Sequence, residues 1–165
     1  MKYEKAIDYS HHFLSALSEG DNSLIFTGSV RLEVIGPDRH MKDPQYWEDG
    51  VPTEASQKQS GVYMIIDDND ELLYVGKARK ANMAAEIWSK FAAATSRSPV
   101  YFRNSPLAKY PPPDNPEIAE ILRRGEVRFV ALLIEPKEFS SLFEVFIQTI
   151  CAVNSALPPF NKQIG

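Results

Sequence analysis

The hydrophobic pattern of the first 60 residues predicts one helix, then short strands and a loop. Residues 3–17 place apolar side chains at helical spacing. Apolar and polar residues alternate over residues 30–35, as in a half-buried strand, and residues 24–26 form a shorter run of the same kind. Residues 36–60 are rich in Pro, Asp, Gln, Ser and Gly, which predicts a loop. We interpret residues 1–58 as an N-terminal extension.

Two β-type runs that begin at residue 61 predict a hairpin. Residues 61–67 and 71–77 are rich in β-branched and aromatic residues, and the Asp-Asn-Asp sequence at 68–70 supplies turn chemistry. Residues 127–134 are almost continuously apolar, which is typical of a central strand covered on both faces. The hairpin and this later strand together predict a small sheet.

Three helices are predicted beside this sheet. An Ala-rich segment over residues 80–94 has its large apolar side chains on one side. A short helix is expected between Asn115, as its N-cap, and Gly125, just beyond its end. The last helix is expected to open at Ser140 and Ser141 and carries one apolar stripe. These elements predict an α+β fold, with residues 59–165 as the main domain.

Composition and charge exclude several classes of protein. The 165 residues are 44% hydrophobic and 24% charged, as in globular domains rather than disordered chains. We expect a cytoplasmic protein, because the sequence has no membrane-length apolar run and no signal peptide, and its single Cys151 cannot form an internal disulfide. The net charge of −4 gives no general argument for nucleic-acid binding. Residues 76–110 nevertheless hold seven Lys or Arg against one acid, which indicates either an anion-facing surface or a chance cluster on a solvated face.

The first candidates for catalytic residues lie in two tripeptides on the predicted hairpin, which have ten residues between them. A lysine follows the second tripeptide, a glutamate lies on the last helix, and a Pro-Phe-Asn sequence lies near the end of the chain. In this order the sequence resembles the GIY-YIG nuclease family over residues 61–161. The matching positions are Gly61-Val62-Tyr63, Tyr74-Val75-Gly76, Lys77, Glu144 and Pro159-Phe160-Asn161.

The resemblance implies metal-dependent cleavage of DNA by a three-stranded, mainly antiparallel sheet flanked by helices. It makes Tyr63 and Tyr74 the active-site phenols, Lys77 a further catalytic residue and Glu144 the ligand of a single Mg²⁺ or Mn²⁺ ion. DNA is the expected partner, with RNA left open and no membrane involved. The residues expected to face the substrate or support the site are Lys77, Arg79, Lys80, Lys90 and Asn161.

The chemistry of these side chains is compatible with phosphodiester hydrolysis. Two phenols on neighbouring strands can hold a water and a phosphate oxygen at one face of a sheet. A phenol with its ordinary pKa of about 10 is a poor base at neutral pH, so it needs a nearby cation such as Lys77. One carboxylate, Glu144, can hold Mg²⁺ with water in the remaining positions.

Structural alternatives to these roles stay open at this point. Tyr63 and Tyr74 are also good strand formers. Ser141 and Glu144 have the spacing of a capping box, and Lys77 has an alternative role as a solvated lysine at a strand end.

The sequence departs from the family on the helix after the second tripeptide. Where the family carries an arginine the chain has Ala84, and the nearest charged residue on that helix is Glu86. Losing such a cation can cost orders of magnitude in rate. Three hypotheses follow: a divergent endonuclease, an inactive nucleic-acid-binding module, or a protein-interaction or regulatory domain. The basic residues able to replace the arginine are Arg79, Lys90, Arg97 and Arg103.

Overall fold

The computed structural model describes residues 1–19, 30–37, 40–43, 58–91, 105–109 and 115–165. These residues form four helices and four strands. In chain order the elements are α1 (Tyr3–Glu19), β1 (Arg31–Ile35), β2 (Gly61–Ile66), β3 (Leu72–Ala78), α2 (Met83–Phe91), α3 (Glu117–Arg124), β4 (Arg128–Glu135) and α4 (Phe139–Asn154).

The strands form one sheet in the order β1-β4-β2-β3, and every neighbouring pair is antiparallel. The predicted α+β class, with a small antiparallel sheet flanked by helices, is confirmed. The sheet has four strands rather than three, because β1 from the predicted N-terminal extension pairs with β4. β4 lies inside the sheet and is mostly buried, as its continuous apolar run predicts.

Each face of the sheet carries its own hydrophobic cluster. On one face α4 packs against β2, β3 and β4, and α1 packs against α4. Phe13 of α1 stacks on Phe146 of α4, with ring centroids 4.1 Å apart, and meets Phe143 edge-on. On the other face, α2 and α3 bury Met83, Leu122 and neighbouring residues against the sheet. The result is a sheet between two helical layers, with β3 as one outer strand.

The prediction for the C-terminal end of α3 is confirmed, and the prediction for its N-terminal end is wrong. Gly125 follows α3 with a left-handed φ of 68°, and its N–H donates to the carbonyls of Ile121 and Leu122. The prediction of Asn115 as N-cap is wrong, because Pro116 holds that position without a side-chain cap. Pro116 already has helical backbone angles, φ −67° and ψ −19°, and the first residue of α3 is the next one, Glu117.

Several predicted features fall outside the described residues, namely the strand at 24–26, the end of the helix predicted to residue 94, Arg97 and Arg103. Within the ranges that are described, no helix is both long and apolar enough to span a membrane.

Candidate functional site

Two phenols lie side by side on the face of the sheet that α2 covers. Tyr63 of β2 pairs with Gly76 of β3, and Tyr74 precedes Gly76 by two residues, so all three share one face. The two rings have centroids 6.0 Å apart and planes at 40°. Each of the two side chains influences the pKa of the other. Tyr63 is 1% exposed, whereas Tyr74 is only partly buried.

The glycine of each tripeptide makes room for a close contact. A Cβ on Gly76 would lie 2.6 Å from Cζ and Oη of Tyr63 and 2.8 Å from Cε1 of Tyr74. A Cβ on Gly61 would lie 1.9 Å from the carbonyl oxygen of Leu132 on β4. The absence of a side chain at Gly76 therefore leaves room for the two phenol rings. At Gly61 it leaves room for the backbone of β4.

A β-bulge sets the position of Tyr74. Ile66 pairs with Leu72 and Ile65 pairs with Tyr74, which leaves Leu73 as an extra residue of β3. Leu73 and Tyr74 consequently both pack against the cluster on the α2 face. Bulges of this kind redirect side chains in a sheet, and this one keeps Tyr74 on the same face as Tyr63.

An ion pair lies on the opposite face of β3. Lys77 pairs across the sheet with Val62, whose side chain belongs to the cluster under α4. The Lys77 Nζ atom donates to Oε2 of Glu144 on α4 over 2.5 Å. The Glu144 side chain is 8% exposed and that of Lys77 31% exposed.

The capping-box alternative for Ser141 and Glu144 is wrong, because α4 begins at Phe139 and Ser141 lies inside the helix.

The backbone of β3 is fixed at its outer edge by polar side chains from the C-terminal part of the chain. The Asn161 Oδ1 atom accepts from the Val75 N–H over 2.9 Å, and its Nδ2 donates to the Val75 carbonyl over 2.8 Å. Gln148 of α4 donates to the same carbonyl over 3.2 Å. Asn161 thus holds the residue between Tyr74 and Gly76, which is a positioning role.

One basic residue of α2 reaches the phenols. The Nζ atom of Lys90 lies 5.8 Å from the ring centroid of Tyr74, which is the geometry of a cation–π contact. Arg79 and Lys80 directly follow β3 and are exposed to solvent. The structure therefore brings Lys90, among the predicted substrate-facing residues, to the phenols, and places Arg79 and Lys80 on the adjacent surface.

Burial and two carboxylates keep both phenols neutral. Burial raises the pKa of Tyr63 far above its ordinary value, and the nearby charges of Glu86 and Glu144 raise it further. The pKa of Tyr74 is raised mainly by burial, against the opposing effect of the hydrogen bond from Tyr63. At neutral pH both hydroxyls are therefore hydrogen-bond donors, and a role as base requires an additional positive charge beside them.

No protein-family model, no curated protein and no solved structure matches this chain at a significant level. Membership of the GIY-YIG family therefore stays a prediction from the motifs.

The donor set for a metal ion is small. The described part of the chain contains no group of three His, Cys, Asp or Glu side chains placed to hold one. Mg²⁺ commonly takes one or two carboxylates and fills its other positions with water and substrate oxygens. Glu144 fits this requirement as a single ligand, provided that the cation and Lys77 share its carboxylate or exchange there.

Two residues of the site escaped prediction. Gln148 lies four residues after Glu144 on α4, so the helical spacing alone was a signal that both face β3. Glu86 was noted only as a departure from the family. The structure places its charge near both phenols, and Asn82 Nδ2 donates to its Oε1 over 3.0 Å.

Proposed function

We propose that this protein is a divergent, metal-dependent endonuclease of the GIY-YIG type that hydrolyses phosphodiester bonds in DNA. The observation that supports the proposal best is the meeting of two phenols, one lysine and one glutamate around the edge strand β3. Tyr63 and Tyr74 lie on one face of this strand, and Lys77 and Glu144 lie on the other.

The proposed roles follow from burial and hydrogen bonding. Tyr74 is the more accessible phenol, so it contacts the scissile phosphate or the attacking water. Tyr63 is buried beside it, with the ring centroids 6.0 Å apart, and would hold the Tyr74 ring in place. Lys77 and Lys90 place positive charge on either side of Tyr74 and can hold phosphate oxygens. A Mg²⁺ or Mn²⁺ ion bound at Glu144 would stabilise negative charge on the phosphate.

A second candidate is a module that binds nucleic acid without cutting it. Glu86 favours this alternative, because its carboxylate acts on both phenols from the helix on which the family carries its arginine. A carboxylate at that place repels a phosphate rather than neutralising it. Lys77, Arg79 and Lys80 would still provide phosphate contacts in such a module.

A plasmid-nicking assay tests the proposal. With Mg²⁺ or Mn²⁺ the wild-type protein is expected to convert supercoiled plasmid to nicked circles. Tyr74→Phe and Glu144→Gln should each lower the rate by about 10²- to 10⁴-fold, as expected for the loss of a group acting on the proton or charge transfer. Tyr9→Phe on α1 is the matched control for removing a phenolic hydroxyl and should nick at the wild-type rate.

DNA binding measured at several salt concentrations separates the two candidates. Binding that weakens with salt, without any nicking, would favour the non-cleaving module. Absence of both binding and nicking in a folded protein would contradict both candidates. Circular dichroism of each variant checks that the fold is retained.

A further inference from the structure

The carboxylate proposed to hold the metal ion already has a cationic partner in this chain. Oε2 of Glu144 accepts a 2.5 Å hydrogen bond from the Lys77 ammonium, and only 8% of the glutamate side chain is exposed. An unpaired carboxylate at such a buried position is strongly unfavourable, so the lysine stabilises the site when no other cation is bound.

We propose that Lys77 and a divalent cation are exchangeable partners of the Glu144 carboxylate. In the cation-free site Lys77 neutralises Glu144. When a divalent cation binds at the carboxylate, the ammonium moves away, because two positive charges within a few ångströms of each other repel strongly in a poorly solvated site. This inference rests on the proposed function, since it concerns how that same site is loaded.

The exchange has a consequence for substrate binding. Lys77 lies at the edge of the sheet with 31% of its side chain exposed, so an ammonium displaced from Glu144 can turn toward solvent and take a phosphate oxygen. Cation and phosphate then bind with positive coupling, since each favours the state in which the ion pair is open. By reciprocity, a bound DNA phosphate should tighten cation binding by the same factor.

Lys90 provides a matched control for charge alone. It is also a lysine beside the phenols, but it lies over the Tyr74 ring from α2, on the other face of β3 from Glu144. Removing Lys90 therefore changes the net charge near the site by the same amount as removing Lys77 while leaving the ion pair intact.

The test is a titration of the full chain with Mn²⁺ alone, with unbound Mn²⁺ measured by electron paramagnetic resonance. Lys77→Met should tighten the apparent affinity about tenfold, as expected if the ion pair occupies the carboxylate in about nine-tenths of the molecules. Lys77→Arg should bind as weakly as wild type, and Glu144→Gln should lose the site. Lys90→Met should change the affinity by about twofold or less, because Lys90 contacts the Tyr74 ring and the ion pair of Glu144 is with Lys77.

Unchanged or weaker Mn²⁺ binding in Lys77→Met would overturn the proposal. An equal gain in Lys90→Met would also overturn it, because general electrostatics would then suffice. If neither wild type nor any variant binds Mn²⁺, the proposal is overturned as well.

A second measurement keeps the test valid if Lys77→Met fails to fold. In wild-type protein with ¹³C-labelled lysine, Mg²⁺ should move the side-chain signal of Lys77, assigned by its absence in Lys77→Arg, and leave the Lys90 signal in place. A Lys77 signal that stays fixed while the cation binds would overturn the exchange. Both measurements omit DNA, so their outcome is independent of whether the protein nicks plasmid.

Discussion

The two faces of β3 hold chemically different halves of the candidate site. On the α2 face, Tyr63 and Tyr74 are neutral and pack closely against Gly76. On the α4 face, Lys77 and Glu144 form an ion pair. The phenol half depends on shape and burial, and the charged half depends on a pair of opposite charges. Because the side chains of a strand point to both faces of its sheet, one short edge strand supplies a residue to each half, Tyr74 to one and Lys77 to the other.

The two halves are nevertheless coupled through the strand. The charge of Glu144 raises the pKa of both phenols, so removing or neutralising this carboxylate changes the other face as well. Asn161 holds Val75 at the point where the two halves meet. The comparison therefore predicts that a larger side chain in the packed interior disturbs the phenol half first. Loss of the hydrogen bonds between Asn161 and the Val75 backbone, which we call the edge contact, should disturb both halves.

The largest effect on stability should come from Gly76→Ala. The added methyl group would overlap both phenol rings, and overpacking of this kind should lower the free energy of unfolding by about 3 kcal/mol. Denaturant unfolding measures the change. In a Tyr63→Leu background the same substitution should cost less, because the two closest contacts, with Cζ and Oη of Tyr63, are gone and the contact with Tyr74 remains. An equal cost in both backgrounds would mean that the phenol half is not packed as described.

Loss of the edge contact should have the next largest effect. Asn161→Ala removes two hydrogen bonds to the Val75 backbone, and it should lower the free energy of unfolding by about 2 kcal/mol. Asn154→Ala is the matched control, because that asparagine is exposed and makes a single bond to the Ile150 carbonyl within α4. Its cost in urea unfolding should stay within about 0.5 kcal/mol. Similar costs for the two variants would argue against a special role of Asn161 at β3.

High pH should affect the phenol half more weakly. The pKa of Tyr63 is raised in the folded protein above its ordinary value of 10.0, so above that pH the unfolded chain loses a proton that the folded chain keeps. The contribution of this phenol to stability is therefore complete below pH 10 and falls as pH rises. Between pH 10 and pH 11 the loss should be about 1 kcal/mol.

The comparison of wild type with Tyr63→Phe isolates this contribution from other titrating groups. The stability of Tyr63→Phe relative to wild type should rise between pH 10 and pH 11. A difference that stays constant over this range would show that the Tyr63 hydroxyl ionises as easily in the folded chain as in the unfolded chain.

The fold was largely predictable because its elements have clear periodicity. The two runs of the hairpin, the continuous apolar run of β4 and the apolar stripe of α4 each indicate an element that the structure contains. The pairing of β1 with β4 was not predictable, because an alternation of apolar and polar residues does not specify the neighbouring strand. The N-cap of α3 was missed because both Asn115 and Pro116 are favourable near a helix start.

Part of the candidate site was predictable from the sequence, but Gln148, the nearby charge of Glu86 and the contacts between the residues were not. The order of the motifs named Tyr63, Tyr74, Lys77 and Glu144 together, and their roles stay predictions. The bulge at Leu73 left no sequence signal, because any apolar residue can occupy it. The ion pair and the position of Lys90 over a ring depend on how helices dock on the sheet, which local sequence does not specify.

The most direct measurement of the central claim is the rate of Mg²⁺-dependent nicking of supercoiled plasmid by wild-type protein and by Glu144→Gln. If the residues around β3 form a phosphodiester-cleaving site, nicked circles accumulate with the wild-type protein and fall to the background rate with the variant. Equal rates for the two proteins, or no nicking by folded wild-type protein that binds Mn²⁺, would contradict the account.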